Sequence, residues 1–176
     1  NSIDGVGTLA KAGSGTLTLV GDSDCGAIRV DGGTLAVGDQ GTFGSLVGVS
    51  LAEGTTLAVS ATKTLENSIT LDGSATIDTG DATLTLKGVM YGHGGLIKAG
   101  NGTLVVGYND FTGTVTTTVS GGTLSIEKYS GLGGGAISLA DRTTLAVRST
   151  MKIYSAIALT GSATISADDA LTLTGV

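Results

Sequence analysis

The chain is two versions of one segment joined end to end. Lys11-Ala12-Gly13-Ser14-Gly15-Thr16-Leu17 returns 87 residues later as Lys98-Ala99-Gly100-Asn101-Gly102-Thr103-Leu104. Gly32-Gly33-Thr34-Leu35 returns after 89 residues as Gly121-Gly122-Thr123-Leu124. Thr55-Thr56-Leu57-Ala58-Val59 and Gly73-Ser74-Ala75-Thr76-Ile77 each return after 88, at Thr143 and at Gly161. The sequence therefore divides into tandem units, 1–88 and 89–176. A fixed period of this kind marks modules stacked along one axis, each burying its apolar face only against its neighbours.

A shorter period runs inside the unit. Thr16-Leu17-Thr18-Leu19, Thr34-Leu35-Ala36-Val37, Thr56-Leu57-Ala58-Val59 and Thr83-Leu84-Thr85-Leu86 alternate apolar with small or polar residues, the period-two pattern of a strand with one buried face. Thr16, Thr34, Thr56 and Thr76 are 18, 22 and 20 residues apart, the length of a coil built from two or three short strands. This predicts about four coils per unit and about eight in the chain. The composition agrees: 31 glycines supply corners, while strong helix-forming stretches are few. Asp4-Gly5, Asp31-Gly32, Glu53-Gly54, Asp72-Gly73 and Gly121-Gly122 suit positive-φ corners and would serve equally as hairpin turns. The constant interval selects a parallel β-helix over an antiparallel meander. Leu17, Leu35 and Leu57 are then expected in an internal column, with the threonines in outward ladders. About eight rungs at ~4.8 Å give a rod of roughly 40 Å.

Several function classes fall away. A net charge of −6, with the basic residues scattered singly, offers no patch for nucleic acid. No apolar run reaches the ~18–20 residues of a membrane helix. The lone Cys25 cannot form an internal disulfide, and is either a small buried hydrophobe or an exposed thiol. His93, the single histidine, lies among glycines and reads as a solvated loop residue; with one Cys and one His no structural zinc site can be completed. Gly21-Asp22-Ser23 lacks the helix and His partner of a nucleophile elbow. Gly131 to Ala136 carries a G-x-G-x-x-A string followed by a strand, where a dinucleotide needs a helix. Asp168-Asp169 is the sole adjacent acidic pair, with Asp81 its single counterpart one unit earlier, and at 3% aromatic content the platform for stacking sugars is missing. Asn101-Gly102-Thr103 fits a glycosylation sequon but sits in a repeated corner. No catalytic, cofactor or metal residues are assigned.

Lys11 and Lys98 recur at the same place in each unit and are expected to act as outward gatekeepers beside a hydrophobic strand. The units differ most at Gly21 to Gly26 against Gly107 to Gly113. Only the second carries aromatics there, so Tyr108, Asn109, Asp110 and Phe111 form the candidate binding loop.

The stretch from Gly95 to Thr114, continuing through Gly121-Gly122-Thr123-Leu124, resembles the passenger-associated repeat of bacterial autotransporters. That repeat reads Leu-x-Lys-x-Gly-x-Gly-Thr-Leu-x-Leu-x-Gly, then Asn-x-Tyr-x-Gly, then a Gly-Gly-Thr-Leu closure. The first unit matches at Lys11 to Gly21 and Gly32 to Leu35, with a shorter middle. The resemblance implies a right-handed parallel β-helix in the secreted or surface-displayed passenger of a Gram-negative bacterium. It implies as partners the remainder of the passenger and a C-terminal outer-membrane β-barrel. On this reading the chain, which opens at Asn1 without a signal peptide, is a piece of a longer passenger. Its expected role is a non-enzymatic stalk that presents an adhesive or effector region and aids translocation as it folds. Two other readings stay open: a module binding another rod or a host surface ligand through outward polar ladders, and a carbohydrate-active β-helix enzyme.

Overall fold

The computed structural model describes residues 2–45, 47–111, 115–127, 132 and 134–174. The described residues form strands joined by turns and bends, with no helix, and every strand pairing among them is parallel. Parallel neighbours are 18 to 22 residues apart in sequence, from Thr16 against Thr34 to Thr34 against Thr56. The chain is thus a parallel β-solenoid of about eight turns, as the short period predicts.

Each turn has three sides. The chain passes through a first sheet (Thr8–Lys11, then Ala27–Val30, Gly48–Leu51 and Ile69–Leu71 on successive turns). It then enters a second (Thr16–Leu19, Thr34–Val37, Thr56–Val59, Ala75–Asp78, Leu96–Ala99 and onward to Ile157–Leu159). The third side begins with Ile3–Asp4, Asp22–Asp24 and Thr42–Phe43 and is taken up in turn by Lys63–Leu65. In mid-rod the third and first sides fuse. Thr83–Gly92 pairs through its first half with Lys63–Leu65 and through its second with Ile69–Leu71, so one strand rounds the corner. Thr103–Phe111 follows it around.

Strand alternation builds the core. Leu17, Leu35, Leu57 and Ile77 lie over one another in the second sheet, and the last three are fully buried. Thr83, Thr103, Thr123, Thr144 and Thr164 make an outward ladder on the third side. Like stacks on like because each apolar side chain leaves water only when its neighbours above and below do the same.

The long repeat is not a simple translation along the rod. Four turns above Lys11, through Val30, Leu51 and Leu71, lies Gly92. Lys98 comes one side later, in the second sheet. Its column below is Ile77, Leu57, Leu35 and Leu17. Every matching pair is displaced in the same sense: Thr56–Val59 lies in the second sheet and Thr144–Val147 on the third side. One sequence unit therefore spans four turns and one further side, so the two motif copies face different directions.

One corner carries backbone strain. Arg142 has φ +60° and fills the place that Gly54, with φ +71°, has in the first unit. Both donate their N–H to the serine of the next turn, Gly54 to Ser74 O at 2.8 Å and Arg142 to Ser162 O at 2.6 Å. A left-handed residue with a Cβ costs roughly 1–2 kcal/mol. Arg142→Gly is expected to raise stability by about 0.5–1 kcal/mol after the larger unfolded-state entropy of glycine is counted, measured as a higher urea midpoint.

Candidate functional site

The motif lysines point inward, contrary to the gatekeeper expectation. Lys98 is fully buried and Lys11 is 7% exposed. Both continue the inward alternation of their strands, after Leu96 and Leu9 respectively. Lys98 Nζ donates to the carbonyls of Ala99 (2.9 Å) and Gly100 (2.9 Å), and to that of Gly121 one turn above (3.0 Å). Lys11 Nζ does the same with Ala12 (2.9 Å), Gly13 (2.8 Å) and Gly32 (2.8 Å). The three donors of each ammonium satisfy carbonyl lone pairs turned into the rod, and Lys98 shares Ala99 O with the Thr79 N–H (3.1 Å). Lys63 serves a third corner through Gly38 O (2.5 Å) and Gly41 O (2.8 Å), and Asn67 a fourth through Gly44 O (2.7 Å) and Val47 O (2.9 Å).

This geometry explains the spacing of the motif. Thr103 lies beside Thr123 and Thr16 beside Thr34, so the Gly-x-Gly-Thr-Leu and Gly-Gly-Thr-Leu portions are one turn apart and stacked. Glycine is required because the corners touch. A Cβ on Gly122 would lie 2.2 Å from Gly102 O, and one on Gly33 would lie 2.4 Å from Gly15 O. The lysine bridges the two corners that the glycines bring together.

Burial lowers the Lys98 pKa to about 8, against a smaller opposing effect of Asp78. Lys63 is lowered by the same cause, with Asp39 opposing. For Lys98 the folded value lies below the unfolded 10.5, so between about pH 8 and 10.5 the unfolded chain binds the proton more tightly. The contribution of this group to stability is least below that window and rises with pH through it. The urea midpoint of the wild type is expected to rise relative to that of Lys98→Met from pH 8 to 10.5 and to run parallel with it from pH 6 to 7.5.

A second feature lies where the third side meets the first. The residues that follow the register partners Leu65, Leu86, Val106, Ile126, Val147 and Ala167 form a corner column: Glu66, Lys87, Gly107, Glu127, Arg148 and Asp168. Lys87 pairs with Glu66 at 2.9 Å, and Arg148 holds both carboxylate oxygens of Asp168 at 2.8 and 2.9 Å. Gly107 interrupts the charges. At the same level the register slips between Leu86 and Val89, so Lys87-Gly88 oppose the single Gly107. The bulge and the missing side chain open a notch of about 410 Å³, lined by Glu66, Thr85, Lys87, Val105, Tyr108 and Glu127.

The expected binding loop is placed differently from its description. Tyr108 to Phe111 continue the strand Thr103–Phe111 around the corner, paired with Val89 to Gly92. Tyr108 is half-exposed at the notch. For Asn109, Asp110 and Phe111 the structure describes only the backbone path.

The remaining candidates do not converge. His93 is exposed at a corner between the first and second sheets. Cys25 is buried, its thiol directed at Ala27 O (3.3 Å). Ser23 is buried in a strand, while neighbouring Asp22 accepts from Thr42 Oγ1 at 2.6 Å. Asp81 accepts from Asn101 Nδ2 at 2.9 Å. Gly131 and Gly133 of the glycine-rich string lie outside the described residues. Among the described residues no group of three or more His, Cys, Asp or Glu is placed to hold a metal, and no helix is long and apolar enough to cross a membrane.

The fold and its lysine-bridged corners define a repeat-built β-solenoid whose recurring residues serve its own turns. The passenger-associated-transport-repeat family matches at residues 9–37 and 96–126, the two stretches that contain Lys11 and Lys98 with their stacked closures. The autotransporter adhesin BmaC of Brucella suis biovar 1 is 36% identical over 127 residues, which cover 70% of this chain and 4% of that protein. No solved structure gives a significant match. The chain carries two autotransporter passenger-associated transport repeats, which mark a secreted or cell-surface passenger of a Gram-negative bacterium.

Proposed function

We propose that this segment is a non-enzymatic stalk within a longer passenger that a C-terminal outer-membrane barrel anchors, and that it holds an adhesive or effector region away from the cell. Its tandem units, 1–88 and 89–176, are the building blocks, and its coil is right-handed, the sense that parallel crossovers overwhelmingly take. The observation that supports this reading is the lysine bridge. The most specific residues of the family motif are occupied with backbone carbonyls of their own corners, leaving the motif no group for an external substrate.

The same bridge supports a role in translocation. Lys98 and Gly121 are 23 residues apart, so each bridge closes as soon as one further turn has emerged, at low loop-closure cost. Surface display of the full passenger, scored by protease accessibility on intact cells, is expected to fall severalfold in Lys98→Met. Unchanged display would remove the translocation role.

A second reading, adhesion by the rod itself, draws on the adhesin named among its relatives and on the outward threonine ladder, where repetition supplies many weak contacts. Cells whose passenger lacks these residues should then clump and adhere less. Adhesion that survives the deletion would leave the stalk alone standing.

A further inference from the structure

We infer that the notch at Gly107 is a saccharide-binding subsite that takes a disaccharide of neutral or amino sugars. The corner column carries a side chain at every level but this one, and a glycine there gives the notch a flat floor of backbone. Tyr108, 49% exposed, stands at one wall and offers a ring face to the C–H surface of a pyranose. Glu66 and Glu127 bring carboxylates to the rim to accept hydroxyl or ammonium protons, and Lys87 brings a donor. Among the described residues Glu127 forms no ion pair, and the Lys87–Glu66 pair is 60% exposed on both sides, so neither rim is committed energetically.

Size and charge narrow the ligand. About 410 Å³ falls within the ~300–1,000 Å³ of small-molecule clefts. Lys87 and Glu127 are two rungs apart, roughly 9.6 Å, a span longer than one sugar ring and suited to two linked rings. Two carboxylates against one ammonium, on a chain of net charge −6, favour neutral or amino sugars over uronic or sulfated ones. Exposed apolar and aromatic side chains gather at this bend: Val89 and Tyr91 are also exposed on the strand beside Tyr108. β-Bulges commonly open such sites by aiming side chains away from the ladder.

The proposal gives the adhesive reading a ligand class and rests on that reading, while the stalk stands without it. Cellobiose, N,N′-diacetylchitobiose and the β-1,4-linked glucosamine disaccharide would be titrated into the isotopically labelled chain, with a diuronate disaccharide as the contrast. The expected result is saturable amide shifts at Thr85 to Lys87, Val105 to Tyr108 and Glu127 for at least one of the first three. Tyr108→Ala should weaken binding about fivefold or more. Gly107→Leu should abolish it by filling the floor; a Cβ there lies 3.2 Å from Leu86 O, an approach that a small shift relieves. Glu127→Gln, an exposed change that leaves the fold alone, provides a variant should Gly107→Leu melt early. No saturable shift with any of the three sugars, equal binding of the diuronate, or affinity indifferent to Tyr108→Ala and Glu127→Gln would each overturn the proposal. Adhesion of cells that persists in the notch variants would likewise remove the subsite while leaving adhesion in place.

Discussion

Lys98→Met is expected to lose about 2–3 kcal/mol near neutral pH, the scale of leaving buried carbonyls without a donor. Methionine keeps most of the stem volume, so the loss isolates the ammonium rather than a cavity. Three corner carbonyls, those of Ala99, Gly100 and Gly121, would be left without that donor in a place where Lys98 itself has no solvent exposure. Lys11→Met removes the same three bonds from a residue that is 7% exposed near the first turn. Water can reach that corner, and a loss of about 1 kcal/mol is expected. The measurement is the urea midpoint of each variant beside the wild type. Equal and small losses at both positions would show that the bridges are decorative.

Gly100→Ala and Gly13→Ala alter the same position of the same motif and should differ severalfold. Both glycines are left-handed, with φ +82° and +75°. Gly13 has open space around the place a Cβ would take, so its replacement costs about 1 kcal/mol from backbone conformation alone. Gly100 rests on the turn below: its Cβ would lie 2.5 Å from Gly80 N and 2.6 Å from an Asp78 carboxylate oxygen. That overlap involves backbone, which cannot rotate away, and raises the expected loss to about 3–4 kcal/mol. Thermal melts of the two variants provide the comparison. If they matched, the Gly100 corner would not rest on the turn below it.

Much of this architecture is legible in the residues. Alternation in Thr16-Leu17-Thr18-Leu19 and its successors gives the strands, and their spacing of about 20 gives the turn. The column of Leu17, Leu35 and Leu57 follows from those two periods, and the structure carries it on through Ile77 to Lys98. The inward lysines are harder to read. In Leu96-Ile97-Lys98-Ala99 the lysine shares parity with Leu96, which directs it inward, but Ile97 makes the opposite face equally apolar, and a charge is ordinarily assigned to water. Only the carbonyls of glycine corners, invisible as sequence, supply the reason for burying it. The turn between motif copies was obscured for a different reason. A repeat of 87 to 89 residues looks like four coils of about 22, whereas pairings of mostly 20 or 21 residues leave one extra side. At Gly107 to Phe111 the change in length between the units suggests a loop, whereas the chain continues there as a strand that rounds a corner, opposite the bulge at Lys87-Gly88.

The central claim, that the repeated lysines are internal bridges, is tested most directly by amine labelling of the native chain with peptide mapping. Lys87, with a side chain 60% exposed, and the exposed Lys152 should react within the first minutes of labelling. Lys98 should stay unmodified until the rod unfolds, and Lys11 should follow slowly. Modification of Lys98 at the rate of Lys87 in the folded chain would place its ammonium outside and contradict the account.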